Sequence, residues 1–167
     1  MNRPTPTTAT LEFIPDGKAG IITTLKIMGG LVKAGKKTLP VRQTALYCVK
    51  NLNQKDWHSE INCVFQFVRD NIRYVRDIRN VETLSTPEKT LEFKQGDCDD
   101  KSVLLASLLE SIGHPTRFVA IGFKPNEFVH VYVETKIGQK WIALDSTEPV
   151  EMGWQPKNVV SRLIYFN

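Results

Sequence analysis

A cysteine, a histidine and an aspartate that lie far apart in this sequence are of the types that carry nucleophilic catalysis. Cys98 falls in the first turn of the most clearly patterned helix of the chain. Unpaired backbone N–H groups and the positive end of the helix dipole favour a thiolate there. The carboxylates of Asp97, Asp99 and Asp100 oppose that effect. The thiol therefore needs a cationic partner, and an imidazolium is the usual one.

His130 is the candidate partner, and Asp145 is the candidate that orients it. Aliphatic residues alternate with each of them along two successive predicted strands, so both polar side chains are expected to point away from the aliphatic face. A two-residue turn that pairs Lys136 with Gln139 would place His130 directly opposite Asp145. A three-residue turn would instead place them on opposite faces.

These residue types predict a division of roles. Cys98 attacks as the nucleophile, His130 takes its proton and later protonates the leaving group, and Asp145 holds the imidazole in the required tautomer. The backbone N–H of Cys98 is a natural oxyanion donor. Either Gln95 or Trp57 supplies the second donor, and the sequence does not choose between them.

The periodicity of apolar residues predicts the helices and strands that must position Cys98, His130 and Asp145. Apolar residues at helical spacing predict helices near residues 21–32, 41–52 and 56–72, and a fourth helix that begins at Asp97 and stops at Gly113. The stretch before Asp97, which includes STPEKTLEFKQG, is interpreted as loops and a turn. After Gly113 the period changes to two, and TRFVAIGF, HVYVETK and KWIALDST predict three strands, the last two forming an antiparallel hairpin. The tail is expected to wrap back, which gives an α+β domain.

Composition and charge limit the alternatives. The 167 residues and 19.0 kDa suit one domain, divided here into residues 1–40 (an arm and a short helix) and a core at 41–167. Three cysteines are too few for a disulfide scaffold, and Cys48 and Cys63 are interpreted as core fillers. The absence of a leader or an apolar span indicates a cytoplasmic protein without membrane contact. A net charge of +4 is too weak to indicate a nucleic-acid binder.

Metals and cofactors are not predicted. The acidic residues Asp97, Asp99 and Asp100 are explained by helix capping and dipole compensation. Zinc is disfavoured because neither a CxxC nor an HxxxH pair is present. Arginines at near-helical spacing, with acidic neighbours, are interpreted as a solvated face, with a phosphate-binding stripe as the alternative; they are Arg69, Arg73, Arg76 and Arg79.

Three blocks in this order resemble the transglutaminase-like superfamily of papain-like cysteine enzymes: KQGDCDDKSVLLASLLESIGHPTRFV, HVYVE and KWIALDST. The resemblance covers about residues 56–147. The resemblance implies a papain-like core in which a helix that starts at the nucleophile packs on an antiparallel sheet. It also implies nucleophile, base and orienting roles for Cys98, His130 and Asp145. The other positions that match the family pattern are Gly113, Pro115, Arg117, Trp141 and Thr147.

The region before the core is similar to that of small transglutaminase-like proteins from bacteriophage and prophage gene clusters. Two hypotheses follow. The chain is a cysteine-dependent hydrolase or acyltransferase acting on amide bonds of a protein or peptide, or it is a phage assembly or binding protein that keeps the fold without turnover. Phage structural proteins are candidate partners, and the location is the bacterial cytoplasm or the virion. Calcium dependence of the animal enzymes is not carried over.

Overall fold

The computed structural model describes residues 14–15, 17–76 and 83–167. The predicted N-terminal arm and Arg79 lie outside the described residues. The three predicted helices before the core helix are confirmed as α1 (Gly17–Gly35), α2 (Leu39–Val49) and α3 (Trp57–Asn71). Asp56 begins α3, because its carboxylate accepts a hydrogen bond from the Ser59 N–H at 3.2 Å.

The segment before Asp97 was wrongly predicted to be loops and a turn. Residues Pro87–Phe93 form helix α4. The Thr86 hydroxyl caps it by accepting from the Lys89 N–H, and Pro87 has a favourable backbone angle for the first turn. On either side of α4, β1 (Arg73–Tyr74) and β2 (Gln95–Gly96) pair in parallel.

Helix α5 (Cys98–Ser111) is the centre of the fold. Every residue from Asp99 to Leu109 is buried, because the other four helices and the sheet all pack against it. The predicted N-cap is confirmed, since the Asp97 carboxylate accepts from the backbone N–H groups of Asp99 and Asp100. Surrounded on all sides, α5 holds its first residue in a fixed place.

Four antiparallel strands form the main sheet in the order β5-β4-β3-β6. They are β3 (Thr116–Gly122), β4 (His130–Ile137), β5 (Lys140–Leu144) and β6 (Ser161–Phe166). The three predicted strands are confirmed. The tail does return to the core, and it does so as the fourth strand, β6, beside β3. The resulting α+β fold is the one expected from the sequence.

The two faces of the sheet bury different residues. Val131, Val133 and Leu144 belong to the main core, which also contains Leu25 and Met28 of α1. Helix α1 is thus part of the same hydrophobic core as the segment after residue 40. The opposite face carries a smaller cluster with Tyr132 and Ala143 at its centre. No helix in the described part of the chain is long and apolar enough to cross a membrane.

The predicted hairpin register was wrong by two residues. Ile137 pairs with Lys140, rather than Lys136 with Gln139, and the turn between them contains Gly138 at a positive φ of 59°. Because side chains alternate with a period of two, a shift of two leaves every residue on the same face. Asp145 therefore still lies on the face of the sheet that was predicted for it, the face of His130, although the register was wrong.

Candidate active site

His130, the first residue of β4, is hydrogen-bonded to Asp145, which follows β5. Their Nε2 and Oδ2 atoms are 2.7 Å apart. Burial alone would raise the pKa of Asp145, but the hydrogen bonds from His130 and Thr147 lower that pKa below its usual value. The ionised carboxylate accepts, so Nε2 donates. The Nδ1 atom of His130 is then the ring nitrogen left to take a proton.

Thr147 fixes the second oxygen of Asp145. Its backbone N–H and its hydroxyl donate to Oδ1 at 3.1 and 2.6 Å. The carboxylate is 1% exposed and has a partner at each oxygen. Its orientation toward His130 is therefore set before any ligand arrives, which is the arrangement that an orienting carboxylate requires.

Cys98 is the first residue of α5, and its sulfur lies against the backbone N–H of Val131, the residue after His130. This contact brings the start of the helix beside the start of β4. Packing at the start of the helix leaves no room for a side chain at Gly96, because a Cβ at that position would lie 2.5 Å from the Cβ of Asp100. The glycine two residues before the cysteine is thus required by packing.

The electrostatic environment of Cys98 differs from the expectation drawn from its place at a helix start. Burial is the largest effect and raises the pKa of the thiol well above its usual value, and the charges of Asp99 and Asp97 raise it further. The Val131 N–H acts in the opposite direction but does not outweigh them. The Sγ atom is 3.6 Å from Oδ1 of Asp99. The dipole alone does not make this thiol a thiolate.

The first turn of α5 leaves one backbone donor available. The N–H groups of Asp99 and Asp100 donate to the Asp97 carboxylate at 2.9 and 3.0 Å, and the N–H of Lys101 donates to the Asp97 carbonyl at 3.1 Å. Within the described part of the chain, the N–H of Cys98 has no acceptor. A helix start has four such groups, and here the one beside the thiol has no acceptor among the described residues.

Gln95 remains the candidate for the second oxyanion donor. It is exposed and lies in β2, three residues before Cys98. Its side-chain oxygen accepts a hydrogen bond from Arg73 at 2.7 Å, which leaves its amide nitrogen as the donor.

Trp57 lies at the wrong end of the molecule for the role of second oxyanion donor. Near the start of α3, Glu60 bonds His114, which follows the end of α5. At the end of α3, the Ile72 carbonyl accepts from Lys101, close to the start of α5. The two helices therefore run antiparallel, and the 14 residues of α5 separate Trp57 from Cys98, about 21 Å along the helix axis.

Two residues of the site were not identified from the sequence. Burial raises the pKa of Tyr74, a hydrogen bond from Arg76 lowers it, and the charges of Cys98 and Asp97 raise it, so its phenol lies within electrostatic range of Cys98. A two-residue strand has no periodicity by which this neighbour could have been recognised.

Lys101, the second of these residues, is 2% exposed and donates to the carbonyls of Ile72 and Arg69 at 2.6 and 3.4 Å. Burial lowers its pKa to about 8, although the charges of Asp145 and Asp70 act against that change. A lysine three residues after Cys98 looks like any solvated helix residue in the sequence. Among the described residues, no group of three or more His, Cys, Asp or Glu side chains is arranged to hold a metal ion.

Solved structures with a similar fold include three bacterial proteins. A protein from Cytophaga hutchinsonii described as a proposed cysteine protease is 20% identical over 77% of this chain and 46% of its own, with a TM-score of 0.54. A proposed protease from Parabacteroides distasonis is 12% identical over 88% of this chain and 32% of its own, with a TM-score of 0.62. Calcium-bound LapG from Legionella pneumophila is 16% identical over 85% of this chain and 87% of its own, with a TM-score of 0.57.

These likenesses establish the fold. The chain spans less than half the length of the first two proteins. No curated protein matches the sequence. The sequence model of the transglutaminase-like superfamily matches residues 42–146, which include Cys98, His130 and Asp145. The chain belongs to the transglutaminase-like superfamily.

Proposed function

We propose that this protein is a cysteine-dependent amide-bond hydrolase or acyltransferase that acts on a protein or peptide. The observation that carries the proposal is the bond between His130 and the buried carboxylate of Asp145, next to the strand residue that contacts the Cys98 sulfur. Membership in the transglutaminase-like superfamily and the likeness to proposed cysteine proteases support it.

In the proposed reaction, Nδ1 of His130 removes the proton of Cys98, and the sulfur attacks the carbonyl carbon of the substrate amide. The oxyanion is received by the free N–H of Cys98 and by the amide of Gln95. The C–N bond then breaks, and the imidazolium gives its proton to the departing amine. Water or a second amine attacks the thioester and releases Cys98. The raised pKa of the thiol requires this transfer, because few molecules hold a free thiolate at neutral pH.

Trapping the acyl-enzyme tests the proposal directly. The protein is incubated with a peptide library, quenched in acid and digested, and each of its three cysteines is examined by mass spectrometry. We expect an acyl adduct on Cys98 that disappears in the Cys98→Ala variant and persists in Cys63→Ala, a matched change away from the site. Adducts shared equally among the cysteines, or none on Cys98, would contradict the proposal.

A phage assembly or binding protein that keeps the fold is the second candidate. One observation favours it: burial and two carboxylates disfavour the thiolate on which turnover depends. The Cys98→Ser variant separates the two candidates in an assay of phage particle formation, with phage structural proteins as the partners. An assembly factor retains its effect in this variant, whereas an enzyme needed for assembly loses it.

A further inference from the structure

A surface cleft of about 390 Å³ adjoins the proposed catalytic residues. It is lined by residues 69–74 at the end of α3 and in β1, by Lys101, and by residues 147–149 after β5. We name it the Arg73 cleft. It adjoins the proposed site, because Thr147 of its lining bonds Asp145 and Tyr74 of its lining lies within electrostatic range of Cys98. A peptide held at Cys98 would extend into this cleft.

Two of the three cationic side chains that line the Arg73 cleft already have partners within the protein. Arg69 donates through two nitrogens to the Asp70 carboxylate at 2.7 and 3.0 Å, and to the Val150 carbonyl at 2.8 Å. Lys101 is buried under the carbonyls at the end of α3 and faces the charge of Asp145. Neither cation has its charge free for a ligand.

Arg73 differs from both. It is exposed, and within the described part of the chain its guanidinium donates only to the neutral side-chain oxygen of Gln95, at 2.7 Å. A guanidinium has five N–H donors in a planar fork that fits a carboxylate. The bond to Gln95 ties this fork to the strand that leads into Cys98. Asp70, an exposed acid of the cleft, is held by Arg69, and Glu148, the other exposed acid, would repel a carboxylate from the segment after β5.

We propose that Arg73 is a specificity residue that binds a carboxylate of the peptide substrate in this cleft. The inference rests on the proposed function, and it names the chemistry that the function leaves open. The carboxylate belongs either to an acidic side chain or to a peptide C-terminus. Both present two coplanar oxygens, and the guanidinium binds them through charge-assisted hydrogen bonds.

Protection of Cys98 from iodoacetamide tests the inference without requiring turnover. Alkylation of Cys98 at pH 8 is followed by mass spectrometry in the presence of three tripeptides. Acetyl-Ala-Ala-Glu amide has an acidic side chain, acetyl-Ala-Ala-Gln acid has a terminal carboxylate, and acetyl-Ala-Ala-Gln amide has neither. We expect at least one acidic peptide to protect at a concentration about fivefold lower than the neutral peptide. The better of the two acidic peptides identifies the source of the carboxylate.

The preference is expected to vanish in Arg73→Gln and to persist in part in Arg73→Lys, which keeps the charge and loses the fork. Arg42→Gln, which removes an exposed arginine from α2, is the matched control and keeps the full preference. Equal protection by the three peptides, no protection, or a preference that survives in Arg73→Gln overturns the inference. Acyl-enzyme formation without an acid preference would sink this inference alone. An Arg73-dependent preference without any acyl-enzyme would sink only the proposed function.

Discussion

Two histidine–carboxylate pairs occur in the described part of the chain, one at each end of α5. His130 and Asp145 are joined at 2.7 Å near the start of the helix, and His114 and Glu60 at 2.9 Å beyond its end. The chemical groups are the same, but their surroundings differ. Beside the first pair lies Cys98, whereas the second pair ties the start of α3 to the turn after α5. The neighbouring thiol, rather than the histidine–carboxylate bond itself, is what makes the first pair a candidate catalytic site.

The sharpest test of this comparison exchanges each histidine for alanine. In His130→Ala we expect alkylation of Cys98 by iodoacetamide at pH 7 to slow about 100-fold, because a cation beside a thiol favours its ionised form. Rates are measured for each cysteine by mass spectrometry, so Cys48 and Cys63 serve as internal references. A rate at Cys98 that is indifferent to His130 would contradict the proposed relay.

The matched change, His114→Ala, is expected to leave that rate unchanged. It should instead lower the free energy of unfolding by about 1–3 kcal/mol, since it removes the partner of a half-buried carboxylate. Urea unfolding followed by circular dichroism measures the loss. If His114→Ala slowed alkylation as much as His130→Ala does, the two pairs would not be functionally distinct.

A second difference between the pairs is Lys101, whose charge faces Asp145. Burial lowers its pKa to about 8 in the folded protein, against 10.5 for the unfolded chain. The unfolded chain therefore binds more protons between these pH values, and stability from this group rises as pH increases. Relative to Lys101→Met, the protein should gain about 3 kcal/mol from pH 8 to pH 10.5. A difference between the two unfolding curves that does not change with pH would refute the assignment.

The smallest expected effect concerns the acidic residue beside the thiol. Asp99 is the carboxylate that contributes most to the raised pKa of Cys98. In Asp99→Asn, alkylation of Cys98 at pH 8 should accelerate about threefold, because a negative charge next to the thiolate is removed. Glu92→Gln, which neutralises an exposed acid on α4, is the control and should have no effect. A slower reaction in Asp99→Asn would show that this carboxylate assists ionisation.

Much of the fold could be predicted because its elements have clear periodicity. Four helices and three strands follow from apolar spacing, and the N-cap at Asp97 follows from its residue type. Helix α4 was missed because its seven residues are too few for a periodic stripe, although Thr86 and Pro87 are good start signals. Strand β6 was expected only as a returning tail, since its pairing with β3 is a long-range contact.

The candidate site was less accessible to sequence reasoning wherever it depends on packing. The bond between His130 and Asp145 was predicted from the alternation of side chains along the two strands. A register error of two residues does not change the face on which a side chain lies, so the prediction held. Trp57 was wrongly predicted to lie near Cys98, because the sequence of neither helix alone shows that α3 and α5 run antiparallel. The high pKa of Cys98 was missed because burial depends on every neighbour of α5, whereas the dipole and the local carboxylates can be read from adjacent residues.

The length of the β4–β5 turn at Gly138 determines on which face of the sheet Asp145 lies. Adding or deleting one residue there would exchange the two faces of β5. The side chain of Leu144 would then lie on the face of His130, and Asp145 would point into the hydrophobic core. Substitution of the exposed Gln139 would leave this register unchanged, whereas a single-residue insertion or deletion would not. The length of this exposed turn is therefore a structural requirement for the bond between His130 and Asp145.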